Sequence, residues 1–127
     1  MIDGGHNVHG MTALAKSIHA LSSPDIKPLL LTGMMRDKDF SDALACILPE
    51  VEKAVAVRVN YPRTASAEEI ADVIRSNGKE TEVFDDWIEG LSYALRTAEK
   101  ENRLLLICGS LYLASDARAE LTGERYE

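Results

Sequence analysis

The sequence predicts a three-layer α/β sandwich, in which helices cover both faces of a mostly parallel sheet of five or six strands. Segments with helical periodicity alternate with short apolar runs along the chain, which is the pattern of repeated strand-helix-strand units. Several of the apolar runs end directly at glycine or asparagine, as buried strands do. The length of 127 residues suits one domain with one core, so we treat residues 1–127 as a single domain.

The first half of the chain contains two predicted helices and two predicted strands. Apolar residues recur at helical spacing over Met11–Leu21, which predicts the first of these helices. Lys27–Leu31 is an apolar run too short for a helix and typical of a strand buried on both faces. Phe40–Leu48 is the second predicted helix. The β-branched segment Ala54–Val59 is the second strand, which stops shortly before Pro62.

The second half repeats the alternation. Ser66 and Glu69 form the pattern of a capping box, which opens a helix that ends at Asn77 and Gly78. We predict that further elements follow in the order strand, helix, central strand and helix, the first three at Thr81–Phe84, Trp87–Lys100 and Leu104–Cys108. At the start of the chain, Met1 and Ile2 resemble the end of a strand, which suggests a segment cut from a longer protein.

Charge and composition exclude several classes of protein. The net charge of -7 argues against a reader of nucleic-acid backbones, because such affinity comes mainly from clustered Lys and Arg. No apolar run approaches the roughly 20 residues that span a bilayer, and the cytoplasm is the default compartment. Cys46 and Cys108 lie in apolar segments without metal-ligand spacing, so we interpret both as buried, reduced thiols.

Residues that follow the predicted strands are the first candidates for a binding site, because ligands bind beyond the carboxyl ends of parallel strands. In the glycine-rich segment 3–10, Asp3 could accept hydrogen bonds from ribose hydroxyls, and His6 could donate to a carboxylate or phosphate. The alternative is that Asp3 and Asn7 cap the following helix while His6 lies in a solvated loop. The residue types alone favour this alternative.

Three further segments carry candidates with ordinary structural alternatives, and for residues 36–39 the residue types favour the alternative. Residues 36–39, with Lys38 among them, are either a charged rim around a ligand or a solvated loop whose Asp39 caps a helix. Arg63 is either a bidentate anion clamp or an exposed loop arginine. Ser110 is either a helix cap or a hydroxyl that contacts ligand.

Four motifs, in order and over nearly the whole chain, give the sequence a resemblance to a known family. Segment 3–7 (DGGHN) is similar to the DGAHN motif that begins the C-terminal domain of folylpolyglutamate synthases and dihydrofolate synthases, which are relatives of the Mur ligases. Segment 33–39 (GMMRDKD) resembles their G-M-x-x-D-K-D, segment 62–64 (PRT) their P-R-A, and segment 109–113 (GSLYL) their G-S-L-Y-L. The departures, such as Gly5 for alanine and Val8 for proline, leave the polar positions intact.

The resemblance implies a Rossmann-like domain and a division of labour between two domains. An N-terminal P-loop domain, with ATP and Mg²⁺, would phosphorylate a folate or dihydropteroate carboxyl, and the amine of L-glutamate would attack the resulting acyl phosphate. By the same resemblance Asp3 would contact the ribose or adenine side of ATP, while the catalytic candidates His6 and Ser110 would lie near glutamate and the transferring phosphate. Asn7, Lys38 and Arg63 are weaker candidates for substrate or phosphate contacts.

The chain itself contains no GxxxxGK[ST] segment, so the resemblance implies that the N-terminal domain and the metal ligands are elsewhere and that the isolated domain is inactive. Two alternatives remain open at this point. One is a Mur-type ligase for another amino acid, and the other is a free-standing nucleotide-binding module without catalysis.

Overall fold

The computed structural model describes residues 2, 7–21, 26–36, 40–59, 61–109 and 111–122, without the side chains of 111, 112 and 122. The strands in this part of the chain are β1 (Leu29–Thr32), β2 (Lys53–Val57), β3 (Thr81–Phe84) and β4 (Leu105–Cys108). The helices are α1 (Val8–Leu21), α2 (Phe40–Ile47), α3 (Ala67–Ser76), α4 (Trp87–Glu101) and α5 (Leu111–Thr122), and a 3₁₀ turn occupies Leu48–Glu50. The predicted alternation of helices and strands is confirmed.

All strand pairs of the sheet are parallel, and the strand order is β3-β2-β1-β4. The sequence predicts five or six strands, whereas the sheet of the described residues has four. At the predicted strand end Met1–Ile2, of which Met1 lies outside the described residues, Ile2 forms a parallel bridge to Ile107. The predicted central strand, β4, is therefore last in the strand order, with this one bridge on its outer side.

Helices cover both faces of the sheet, which gives the predicted three layers. One core cluster joins α1, α2 and α3 to the sheet side chains that point to their side, among them Leu30, Ala56 and Leu106. The other joins α4 and α5 to the alternate side chains, among them Leu31, Val55 and Ile107. Successive strand residues point to opposite faces, so β1 is buried throughout. Each fully buried leucine contributes roughly 1.5–3 kcal/mol of transfer free energy.

Several element boundaries differ from the predicted ones for identifiable reasons. β1 begins at Leu29 and not at Lys27, since Pro28 has no N–H to donate to a ladder. α2 changes into a 3₁₀ turn at Leu48, where Pro49 cannot continue the helical hydrogen bonds. The boundaries of β3 agree with the prediction residue for residue.

The two cysteines are free thiols that differ in exposure. Cys108 is buried, as predicted, whereas Cys46 is half-buried at the surface of α2, so the prediction of two buried thiols is wrong for Cys46. Its position on a helix flank explains this, since that flank faces solvent beside Thr12 of α1. Among the described residues, no helix is long and apolar enough to cross a membrane.

Candidate functional site

The carboxyl ends of all four strands meet at one edge of the sheet, because the strands are parallel. Connections at this edge lead to different faces: β1 and β2 continue into α2 and α3 on one face, while β3 and β4 continue into α4 and α5 on the other. Crevices form where neighbouring strands send their connections to opposite faces. At this edge the crevices are therefore between β2 and β3 and between β1 and β4.

The segments after β1 and β2 are joined by backbone hydrogen bonds. Met35 and Thr64 form an antiparallel bridge, flanked by bonds from the Arg36 N–H to the Arg63 carbonyl (2.6 Å) and from the Ala65 N–H to the Met34 carbonyl (2.9 Å). The loop that carries the P-R-A-like motif is thereby fixed against the start of the G-M-x-x-D-K-D-like segment. This arrangement brings two of the four resemblance motifs together at the carboxyl edge.

Arg63 lies in the turn after β2, and its side chain is exposed. Its φ of 62° is in the left-handed region, which a residue with a side chain adopts at a cost. Among the described residues, no hydrogen-bond or ion-pair partner engages its guanidinium, whereas Arg36 pairs with Glu69 of α3. The geometry leaves Arg63 available for an anion, and its role as a clamp stays a prediction.

The amino terminus of α3 is closed by its own side chains. The Ser66 hydroxyl accepts from the Glu69 N–H (3.1 Å), and the Glu69 carboxylate accepts from the Ser66 N–H (3.3 Å), which confirms the predicted capping box. The pKa of Glu69 is lowered, chiefly by the Ser66 N–H and further by the Arg36 guanidinium. These contacts occupy the helix end internally, so α3 is a support for the Arg63 turn and not an anion site.

Asn7 caps α1. Its side-chain oxygen accepts from the Gly10 N–H and its carbonyl accepts from the Met11 N–H, both at 2.8 Å. The helix-cap interpretation of Asn7 is therefore confirmed, and a contact between Asn7 and a ligand stays a prediction. Asp3, His6, Lys38 and Ser110 lie outside the described residues, so their predicted roles are untested.

Gly109 follows β4 and has a backbone conformation suited to glycine. Its φ is 109°, and a Cβ at this position would lie 2.6 Å from Met34 Sδ and 3.0 Å from the Gly33 carbonyl. It would also overlap the hydroxyl of Thr32. The glycine of the G-S-L-Y-L-like motif is thus required by close packing between the ends of β1 and β4.

A pocket of about 320 Å³ occupies the crevice between the carboxyl ends of β2 and β3. Its lining contains Arg58, Val59, Asp85, Asp86, Trp87 and Ile88. Neither Arg58 nor Asp85 is among the predicted site residues. Asp85 directly follows β3, which is the signal that could have found it, whereas Arg58 lies inside the predicted strand Ala54–Val59 and follows the strand only in the structure, where β2 ends at Val57. A larger pocket of about 520 Å³ lies at the opposite edge, at the amino ends of β2 and β3. In the described ranges, no three His, Cys, Asp or Glu side chains converge as a metal site.

Three comparisons relate the chain to known proteins. It is 32% identical over 123 residues to folylpolyglutamate synthase of Lacticaseibacillus casei, covering 97% of this chain and 27% of that enzyme. It superposes with TM-score 0.86 and 20% identity on Mycobacterium tuberculosis folylpolyglutamate synthase, solved with ADP and AMPPCP, and covers 30% of that chain. A bifunctional folylpolyglutamate synthase/dihydrofolate synthase with Mn, AMPPNP and L-glutamate bound is 26% identical (TM-score 0.76), with 94% of this chain and 28% of that chain covered.

The chain spans between 27% and 28% of the length of the curated relatives it matches. The family model described as Mur ligase, glutamate ligase domain matches residues 1–111, which is most of the chain. Because this match includes every described strand and the edge at which they end, the chain belongs to the Mur ligase family as a glutamate ligase domain.

Proposed function

We propose that this chain is the C-terminal domain of an ATP-dependent folylpolyglutamate/dihydrofolate synthase. The observation that carries the proposal is the family match over residues 1–111, together with 32% identity to a folylpolyglutamate synthase. Other relatives with dihydrofolate synthase in their names point to the same branch of the family. The paired loops after β1 and β2 support it, because they hold two motifs of that branch at one edge.

The proposed reaction forms an amide between L-glutamate and the carboxyl group of a folate or dihydropteroate. ATP transfers its terminal phosphoryl group to that carboxyl, which gives an acyl phosphate and ADP. The glutamate amine then attacks the acyl carbon, the C–O bond to phosphate breaks, and amide and inorganic phosphate are released. We assign ATP phosphate binding and the Mg²⁺ ligands to an N-terminal domain, in agreement with the relatives' greater length.

The residue roles in this proposal follow the chemistry of the side chains. The Asp3 carboxylate suits ribose hydroxyls and would repel the carboxylates of glutamate. His6 and Ser110 can donate hydrogen bonds to those carboxylates or to the transferring phosphate, and they are the proposed catalytic pair. Arg63 is proposed as an anion contact because its guanidinium is exposed and lacks a partner among the described residues. Asn7 and Lys38 are secondary candidates for the same substrates.

The test uses the complete ligase with ATP, L-glutamate and either dihydropteroate or a reduced folate. His6→Ala and Ser110→Ala should reduce glutamate use by on the order of 10²-fold, since loss of a positioning contact shifts reacting groups by about 1 Å. Asp3→Ala should instead raise the KM for ATP first. Equal shifts of both Michaelis constants in all three variants would refute the assigned roles, and a lack of glutamate ligation by the unmodified enzyme would refute the function.

The isolated domain gives a second test. We expect it to fold without hydrolysing ATP or ligating glutamate, because it supplies one wall of a cleft between two domains. Ligation of a different amino acid by the complete enzyme would favour a Mur-type ligase of another specificity. Tight nucleotide binding by the isolated domain, without ligase activity in any longer form, would favour a free-standing binding module.

A cytoplasmic location also remains a prediction.

A further inference from the structure

The hydroxyl of Thr32, at the carboxyl end of β1, is a buried polar group without a partner. The residue is 0% exposed, and Thr32 Oγ1 has no hydrogen-bond partner among the described residues. Buried hydroxyls are paired in most proteins, because an unpaired one loses its hydration without compensation. An orphan of this kind therefore needs a physical explanation.

The position of Thr32 connects it to the proposed site. Its register partner is Cys108 of β4, so it lies at the crevice where β1 and β4 send their connections to opposite faces. Alternation along β1 places its side chain on the same face as Leu30, the face that α1 covers. On that face Cys108 contacts Met11 in the first turn of α1, with the sulfur atoms 4.0 Å apart.

Gly109 covers the hydroxyl. A Cβ on Gly109 would overlap Thr32 Oγ1, so the bare Cα of this residue is packed against the oxygen. Gly109 adopts φ 109° and has no side chain, which makes a change of its backbone angles less costly than at any other residue type.

We propose that Thr32 is a ligand-binding residue of the β1–β4 crevice, whose hydroxyl donates a hydrogen bond to an anionic oxygen of a bound substrate when Gly109 turns aside. The proposal rests on the proposed ligase function for the identity of the substrates. Two sources of the oxygen share this chemistry: the terminal phosphate of the nucleotide and a carboxylate of the incoming amino acid. The described residues offer the hydroxyl proton no acceptor, and the ligand supplies one.

The test compares Thr32→Val, which keeps the shape and removes the hydroxyl, with Thr32→Ser, which keeps the hydroxyl. The complete ligase is titrated with ADP, with an ATP analogue bearing a β,γ-imido bridge, and with L-glutamate in the presence of that analogue. If the oxygen belongs to the terminal phosphate, Thr32→Val raises the Kd of the analogue roughly 10-fold or more and leaves that of ADP unchanged. If it belongs to a carboxylate, the Kd of glutamate rises instead. Thr32→Ser stays within a few-fold of the unmodified protein in both cases.

Stability of the 127-residue chain is the second measurement. Because Thr32→Val removes an unpaired hydroxyl, it should make the chain more stable, with an unfolding equilibrium constant lower than that of the unmodified chain by roughly 5-fold or more. The proposal is overturned if Thr32→Val binds all three ligands like the unmodified ligase, or if it destabilises the free chain, because the hydroxyl would then have a partner inside the protein. The binding measurements need no turnover, so an enzyme that binds these ligands without ligating glutamate refutes the proposed function and still decides the role of Thr32.

Discussion

Replacement of Gly90 by alanine tests how tightly α4 is packed on the sheet. Gly90 lies at the end of the first turn of α4 and is buried. A Cβ built on it would overlap Cγ1 of Val57 in β2, well inside the roughly 3.5–4.0 Å of a normal carbon contact, and would lie 3.4 Å from Phe84 Cβ. Val57 is itself 0% exposed and β-branched, so its methyl group has little freedom to move away.

Two opposing effects set the magnitude. Alanine in place of glycine stabilises a helix interior by about 1 kcal/mol. Overpacking of a close-packed core costs about 1–3 kcal/mol, and a direct overlap with a fixed methyl group belongs at the upper end. We therefore expect Gly90→Ala to lower the free energy of unfolding by about 2 kcal/mol. For a chain of this length that corresponds to a decrease in Tm of roughly 6–8 °C.

The assay is urea unfolding of the 127-residue chain, followed by circular dichroism, with Val57→Ala and the double variant alongside. Val57→Ala alone should cost about 2 kcal/mol through lost burial and the cavity left behind. In the double variant the new methyl group occupies part of that cavity, so its cost should be at least about 1 kcal/mol below the sum of the two single changes. A Gly90→Ala chain as stable as the unmodified one, or strictly additive costs, would show that α4 can move away from β2.

Four other predictions concern the capping box, two carboxyl groups and the Arg63 turn. Ser66→Ala should destabilise the isolated domain by about 1 kcal/mol in urea unfolding, because it leaves the Glu69 N–H without its cap. Because the pKa of Glu69 is lowered by folding, its carboxylate stabilises the folded chain fully at pH values above its ordinary pKa of 4.5, and this contribution is lost as pH falls through the folded pKa. Glu69→Gln should therefore flatten the decline of stability below about pH 5. Burial raises the pKa of Asp116, so ionisation of this carboxyl group opposes folding as pH rises above 3.8. Asp116→Asn should therefore be more stable than the unmodified chain at pH 7 and equally stable near pH 3. A stability difference of the same size at both pH values would contradict this cause. Arg63→Gly should leave the urea midpoint nearly unchanged, since relief of the left-handed backbone offsets the added freedom of the unfolded chain. The complete ligase with this change should bind its anionic substrates more weakly. Unaltered binding would make Arg63 a loop residue without a role in anion binding.

The elements with strong local signals were predictable from the sequence. Ser66 and Glu69 fix the start of α3 through contacts within four residues, and β3 is bounded by polar residues on both sides, so local pattern alone locates them. The β1 boundary depended on Pro28, whose missing N–H removes one ladder bond. The position of β4 in the sheet could not be predicted from its apolar run, because both a central strand and a covered edge strand are buried.

The candidate site was predictable in outline and not in its contacts. The Arg63 turn and Gly109 follow predicted strands and lie at the carboxyl edge, and their roles towards a ligand stay predictions. The partnerless hydroxyl of Thr32 left no trace in the sequence, since a threonine at the end of an apolar run is an ordinary strand residue. The packing around it includes Gly109, a neighbour 77 positions away in the chain that only the fold brings to it. The four remaining candidates, Asp3, His6, Lys38 and Ser110, lie outside the described residues and stay predictions.

The strand order has a consequence for how the chain folds during synthesis. β1, β2 and β3 follow one another in sequence and pair in that order, with α1, α2 and α3 on one face, so this part can assemble as the chain emerges from the ribosome. β4 is made last and pairs with β1 and with Ile2, both made long before. Until β4 arrives, the edge of β1 that β4 pairs with is open, and the part of the opposite face that α5 covers is bare. An open strand edge is the condition under which strands of separate chains pair wrongly. The vulnerable interval of the nascent domain therefore lasts until β4 and α5 have been translated.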